Sequence, residues 1–457
     1  MSDYKLADDR RTFWPVTKTW LRDKAGLNYA VGFGLLSRLW SLPASFVTWY
    51  LMLTEFSDVQ RGLYSIFQSI LAIQIFFELG LSTCLTQFIS HEFGNIRKRA
   101  EGTLEGDPLH LGRMASVFRL AVKWYSVVAV GFLFFVGVLG WWFLSSKPTE
   151  GVSWLIPWWA LCAAASFALI CNPLACLLEG CGEIAFVAKV RFVGNLVASV
   201  LAWFGIKEGL GLMTAAILLA LPNAIFLTCC LSLKKNLFRQ MWKELLLVPI
   251  SWKIEIWPFQ WRIALSAGSG FFILWFFNIP VVYYWGLEAA GRMGFTNQLV
   301  NSLSSVAFMW VAMRAPRYGA MVGQHHHKEL MALHRRTAGQ SLSVYLVGSA
   351  ALFGAFLMLQ KFPLFAAKLL PSGEAAVLLV AGLATQVVFS QAVLLRAHKD
   401  DPFFLLSVLN ALLTAPLMIV LTQRNGTLGT CLAYAIVQWL ILIPATRIFR
   451  EFFQKRG

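Results

Sequence analysis

The amino-acid sequence predicts an all-α polytopic membrane protein, with twelve transmembrane helices in two parallel six-helix lobes around a central cleft. Three observations carry this prediction. Of 457 residues, 58% are hydrophobic and 14% charged, a balance foreign to soluble domains. The roughly 265 apolar positions suffice for about a dozen spans of ~20 residues, and they lie in continuous runs rather than the short alternating strands of a barrel. Lysine and arginine also divide unequally between the two sides that twelve spans define.

The N-terminal tail, 1–27, is polar and lacks the apolar core and small-residue cleavage site of a signal peptide, so insertion is expected to start from the first span. Apolar runs place the first lobe, 28–231, in spans at 28–53, 63–90, 115–143, 152–178, 186–204 and 209–231. A connector over 232–260 interleaves Lys234, Lys235, Arg239, Lys243 and Lys253 with Trp242, Trp252 and Trp257, as in a segment lying on an anionic interface. The second lobe, 261–447, has spans at 261–285, 287–313, 341–360, 373–395, 402–421 and 427–447, and a tail closes the chain at 448–457.

Within these bounds the tails and even-numbered connections hold 25 Lys and Arg and the odd-numbered connections hold 6, with Arg38, Arg119, Lys123, Lys189, Arg191, Arg262, Arg292 and Arg447 inside spans. This asymmetry requires an even span number and places both termini in the cytoplasm. Topology thus accounts for the net charge of +16, and membrane lipids rather than nucleic acid are the expected partners. Seven of the eight cysteines sit in apolar runs and only Cys181 in a loop, which argues against a disulfide scaffold.

Arg61-Gly62-Leu63-Tyr64 opens the second span much as Arg292-Met293-Gly294-Phe295 opens the eighth, half a chain later. Six spans per copy makes the repeats parallel, and such transporters place the substrate at the lobe interface near the bilayer midplane. Chance sharing of Gly and aromatic positions is the competing explanation.

Polar groups inside spans are costly and mark function or helix pairing. Arg38, mid-way along the first span, either faces the cleft or pairs with Glu78. Glu78, with Gln74 and Gln68 on earlier turns and Gln87 beyond, makes a polar stripe, either lining a cavity where Glu78 exchanges protons or holds a cation, or sealing two helices together. Asn297, Gln298 and Asn301 crowd the eighth span beside Arg292, a density of amides suited to a hydroxylated ligand. Arg61 and Arg292 are expected across the cleft from one another, able to hold a phosphate bidentately or to snorkel into headgroups. Arg119, Lys123, Lys189 and Arg191 lie near the cytoplasmic mouth, where they serve as positive-inside anchors or attract an anionic headgroup.

His325-His326-His327 with His334 has no carboxylate or cysteine at ligand spacing, so no metal is expected. Phosphate-loop, nucleophile-elbow and zincin motifs are missing from the sequence, so no cofactor and no enzymatic chemistry are expected.

The stretch Phe77-Glu78-Leu79-Gly80-Leu81-Ser82-Thr83-Cys84-Leu85-Thr86-Gln87-Phe88, with Gln60-Arg61-Gly62-Leu63-Tyr64, resembles bacterial polysaccharide exporters of the O-antigen flippase (Wzx) type. Their superfamily also holds the MATE multidrug exporters and the lipid II flippases. The resemblance implies movement of an undecaprenyl-diphosphate-linked oligosaccharide from the cytoplasmic to the periplasmic leaflet of the inner membrane. It also implies cleft arginines on the first, second and eighth helices, here Arg38, Arg61 and Arg292. Coupling to H+ or Na+ is implied, with Glu78 as the acidic residue to test, and a polysaccharide polymerase and chain-length regulator as partners. A MATE-like drug or cation antiporter is the alternative, although such cavities favour acidic groups and this first span carries Arg38. A membrane transferase or scaffold stands third.

Overall fold

The computed structural model describes residues 29–454 apart from 95, 100–102, 150, 246–249, 316–317, 319–320, 323–326, 363–365 and 399–401. The N-terminal tail and the His325-His326 pair therefore lie outside the described residues. The chain is predominantly helical. Eight of the described helices are long and apolar enough to cross a membrane, nine if one bent pair counts as a single span.

α1 (Tyr29–Glu55) is followed by α2 (Asp58–Leu71), whose start is fixed by a capping box between Ser57 and Gln60. The continuous span expected over 63–90 is instead broken into α2, a short α3 (Gln74–Glu78) and α4 (Leu81–Phe93), bent by 43°. Leu79 and Gly80 adopt left-handed φ of 49° and 63°, which ends one helix and starts the next. A Cβ on Gly80 would sit 2.3 Å from Ile263 Cγ2, so only glycine fits. The break also divides the polar stripe, separating Gln87 from Gln74 and Glu78.

A small hairpin, β1 (Ile96–Lys98) with β2 (Leu104–Gly106), leads to α5 (Pro108–Ser145), which starts at the Asp107 cap. α6 (Leu155–Gly180), α7 (Ile184–Lys207) and α8 (Met213–Leu233) complete a first packed group. The connector forms α9 (Lys235–Lys243), which buries Leu237 and Met241 and turns its charges outward. A π turn over Trp252–Ile256 then enters α10 (Trp257–Leu274).

α11 (Asn278–Ala312) and α14 (Phe404–Gln454) each contain one non-helical glycine, Gly286 at φ 83° and Gly426 at φ 63°. Both are hairpins. The Thr422 and Thr430 hydroxyls meet at 2.7 Å although eight residues along a straight helix span ~12 Å. Asn410 and Gln438, 28 positions apart, exchange amide bonds of 3.2 and 3.1 Å. In α11 a Cβ on Gly294 would lie 3.2 Å from Asn278 Nδ2, sixteen residues away. α12 (His327–Leu359) and α13 (Ser372–Ala397) pack on these hairpins.

The two halves of the chain meet mainly where α2 crosses α11. A Cβ on Gly62 would stand 2.0 Å from the Leu287 carbonyl oxygen, and one on Gly291 would be 3.0 Å from the Gly62 nitrogen. Large apolar side chains such as Val127, Phe134, Trp142, Val347 and Ile443 face outward, as lipid-facing positions require.

Candidate functional site

Above the α2–α11 crossing lies a cavity of about 490 Å³. α2 supplies Tyr64, Ser65, Gln68 and Ser69, which share one face by i, i+4 spacing. The second arm of α11 supplies Asn297, Gln298 and Asn301, together with serines 302, 304 and 305. Thr385 and Gln386 of α13 and Tyr434 of α14 close the wall. Among the described residues no charged side chain lines the chamber. A second cavity of about 240 Å³, with Ser45, Thr48, Asn195 and Ser199 on its walls, shares Tyr64 and Gln298 with the first.

Several wall groups already spend hydrogen bonds within the protein. Gln386 Nε2 donates to Ser341 Oγ at 2.8 Å, and Thr385 Oγ1 lies 3.2 Å from the Tyr434 hydroxyl. Asn278 Nδ2 donates to Ser69 Oγ at 3.0 Å while its buried Oδ1 has no partner. An unpaired buried carbonyl costs about 1–3 kcal/mol, so the chamber favours an occupant that donates hydrogen bonds. A surface of amides and hydroxyls matches a polyhydroxyl ligand and offers nothing to neutralise a charge.

The predicted residues divide accordingly. Asn297, Gln298 and Asn301 are brought together on the chamber wall. Arg61 and Arg292 are not in it, nor do they face each other across a cleft, because α2 and α11 touch there. Arg61 is buried, ion-paired with Asp58, and donates to the Phe56 carbonyl at 2.7 Å. Arg292 is half-exposed and reaches Glu288 at 3.3 Å. Arg38 falls on α1, and its side chain lies outside the described residues.

Glu78 sits at the last turn before the break, half-buried, accepting from the Tyr125 hydroxyl at 3.1 Å and from Asn172 Nδ2 at 3.0 Å. Pro173 follows Asn172 inside α6. Glu78 therefore sits beside a discontinuous helix, the kind of break at which transporters expose unwound backbone groups. Gln74, one turn earlier, is half-buried.

At the other end of this region the cationic residues have mostly structural partners. Arg119 caps α9, donating to the carbonyls of Met241 at 3.1 Å and Glu244 at 2.5 Å. Arg191 lies 3.8 Å from Glu179, with its guanidinium 5.8 Å from the Phe226 ring centre. Lys123 and Lys189 are exposed. Gln240 pairs with both backbone groups of Leu104 at 2.7 Å, and Arg113 bridges Glu92 at 2.9 Å and Glu255 at 2.6 Å. The Arg113 hydrogen bond holds the Glu255 carboxyl below the usual range, whereas burial lowers the Lys98 ammonium.

Sequence reasoning missed Asn278, Thr385 and Gln386. Asn278 is a lone polar residue in an apolar run and Thr385-Gln386 a lone polar pair, and that isolation was the available signal.

No family model and no curated protein matches the chain. Solved structures do. A multidrug-resistance MATE-family transporter of the MOP superfamily, in its inward-facing conformation, superposes with a TM-score of 0.65 at 14% identity, covering 96% of this chain and 98% of that one. A MOP-superfamily transporter from Pyrococcus furiosus, described as having a binding pocket of reverse polarity, gives 0.53 at 14% identity over 94% and 96%. The lipid II flippase MurJ in its inward closed conformation gives 0.53 at 12% identity over 88% and 86%. The chain has the fold that these transporters share.

Proposed function

We propose that this protein is a flippase of the MOP superfamily. It moves an undecaprenyl-diphosphate-linked oligosaccharide, an O-antigen or other surface-polysaccharide unit, between leaflets of a bacterial inner membrane by alternating access. The observation that carries this reading is the uncharged chamber of amides and hydroxyls, whose chemistry suits a glycan. The likeness to a lipid II flippase supports handling of a lipid-linked substrate.

In this reading the chain has twelve spans and cytoplasmic termini, with the bent α2–α4 as the second span, α10 and the short first arm of α11 together as the seventh, the second arm of α11 as the eighth, and the two arms of α14 as the last two. The amides of Asn297, Gln298 and Asn301 hold the sugar. Arg61 and Arg292, paired with carboxylates, serve chiefly to fix helix ends, and Arg38 becomes the arginine to test against the diphosphate. Glu78 couples flipping to H+ or Na+, because a half-buried carboxylate at a helix break can exchange a proton or cation. A polymerase and chain-length regulator would receive the product.

A MATE-like antiporter is the second reading, favoured by the superposition on a multidrug transporter. Against it stands a main chamber that, among the described residues, offers no carboxylate to a cationic drug.

The test is mass spectrometry of lipid-linked oligosaccharides from cells depleted of the protein. A flippase predicts accumulation of a complete repeat unit, whereas an unchanged pool with altered resistance to lipophilic cations would favour the antiporter.

A further inference from the structure

A third and separate cavity, of about 840 Å³, opens where the ends of α12, α13 and α14 converge. Three helix faces build it. Lys328, Met331 and Arg335 recur at three- and four-residue spacing on α12, so they point the same way. Ser390 and Gln391 face them from α13, and Phe449, Arg450 and Phe453 from the last turns of α14.

The lining is stratified. Lys328, Arg335 and Arg450 are exposed at the rim, and none of them meets a carboxylate among the described residues. The wall is apolar, with the Phe449 and Phe453 rings 5.0 Å apart. Two polar side chains sit deep inside: His334 is 4% and Gln391 9% exposed. His334 Nδ1 and Gln391 Oε1 are both buried with no hydrogen-bond partner.

Orphaned buried polar atoms are expensive, and three unpaired cations held within one mouth repel one another. Both costs fall if the groove holds an anion that also offers hydrogen bonds. The Gln391 amide can present its NH2 by a flip, and His334 can donate from either ring nitrogen. Phosphate oxygens suit the arginines, and a hydrocarbon chain suits the phenylalanine and methionine wall.

We propose that this groove binds the phosphate head of an anionic lipid, with the lipid chain laid against Met331, Phe449 and Phe453. The ligand chemistry is a lipid phosphate of net negative charge, which zwitterionic phosphatidylcholine lacks. Two molecules carry it, a bilayer glycerophospholipid and a polyprenyl diphosphate carrier. The groove is distinct from the amide chamber, and its lysine and arginine rim lies on the side that the charge asymmetry assigns to the anionic cytoplasmic leaflet.

The experiment uses full-length protein in phosphatidylcholine nanodiscs, offered phosphatidylglycerol or a polyprenyl diphosphate, with bound lipid read by native mass spectrometry. Wild-type protein is expected to retain either phosphate lipid over phosphatidylcholine. The R335Q/R450Q double variant is expected to lose about thirtyfold in affinity, from ~1 kcal/mol per cation near an anionic surface. Preference for the polyprenyl diphosphate would assign the groove to the carrier, and preference for phosphatidylglycerol to the bilayer. Equal binding by the double variant, or equal retention of phosphatidylcholine, overturns the proposal. A photoreactive phosphatidylglycerol on wild-type protein removes any dependence on the variant's folding: labelling at the ends of α12 and α14 is expected, and labelling confined elsewhere refutes it. Since the readout is lipid retention, it is independent of whether the chamber transports a glycan.

Discussion

Replacing Gly62 with alanine tests the α2–α11 crossing on which the chamber rests. The new methyl would lie 2.0 Å from the Leu287 carbonyl oxygen and 2.6 Å from its carbon, both backbone atoms that no rotamer change can move. Reaching an ordinary contact of ~3.4 Å requires the helices to separate by about 1.4 Å, and overpacking of this kind costs about 1–3 kcal/mol. The separation would also shift the Asn278 to Ser69 hydrogen bond, since Ser69 lies two turns along α2 from Gly62 and Asn278 sits on the other arm of the α11 hairpin. Gly131→Ala is the internal control, because a Cβ there meets nothing within 4 Å and helix propensity favours alanine by up to ~1 kcal/mol. Thermal unfolding of both variants in detergent is the assay. Gly62→Ala is expected to unfold several degrees below wild type and Gly131→Ala at or above it. A Gly62→Ala protein as stable as wild type would refute the close crossing.

Three further outcomes are expected. Glu78→Gln keeps an acceptor for Tyr125 and Asn172, so it should fold normally yet lose the pH dependence of transport; Glu78→Ala strands both donors and should cost about 1–3 kcal/mol in a denaturation assay. Unchanged pH dependence in the Gln variant would leave Glu78 a purely structural group. Asn297→Leu with Asn301→Leu should leave stability near wild type and reduce glycan transport at least tenfold, about one lost hydrogen bond's worth, in a vesicle assay. The Arg113–Glu255 pair lowers the Glu255 pKa, so its stabilisation is complete above the ordinary carboxylate range and is lost as pH falls through the depressed folded-state value. Melting curves from neutral pH to below ~4 should show a shallower acid decline in Glu255→Gln, and identical slopes would remove this pair from the acid response.

Much of the fold could be read from hydropathy because the bilayer demands long apolar runs with internally satisfied backbones. The expected boundaries at 285–287 and 421–427 coincide with the chain reversals at Gly286 and Gly426, where a glycine adopts positive φ. The break at Leu79-Gly80 escaped notice because the run from 63 to 90 is apolar enough overall to read as one span, and hydropathy is blind to φ. Its local signal was Gly80 two residues after Glu78. Amides in a cluster announced themselves at Asn297, Gln298 and Asn301, whereas solitary Asn278 and the Thr385-Gln386 pair join the chamber only through tertiary packing. The pairing of Arg61 and Arg292 was available locally, as Asp58 lies three residues before one and Glu288 four before the other, which is salt-bridge spacing on a helix. Weighing those neighbours would have moved the arginines from the cleft to the helix ends.

The most direct measurement of the central claim is transfer by the purified protein itself. Reconstituted into liposomes that carry a lipid-linked oligosaccharide in the inner leaflet, wild-type protein should expose that glycan to an impermeant glycosidase outside, and the Asn297→Leu/Asn301→Leu protein should not. Glycan that stays protected with active, folded wild-type protein, while a lipophilic cation is exchanged for protons in the same vesicles, would contradict the flippase and establish the antiporter.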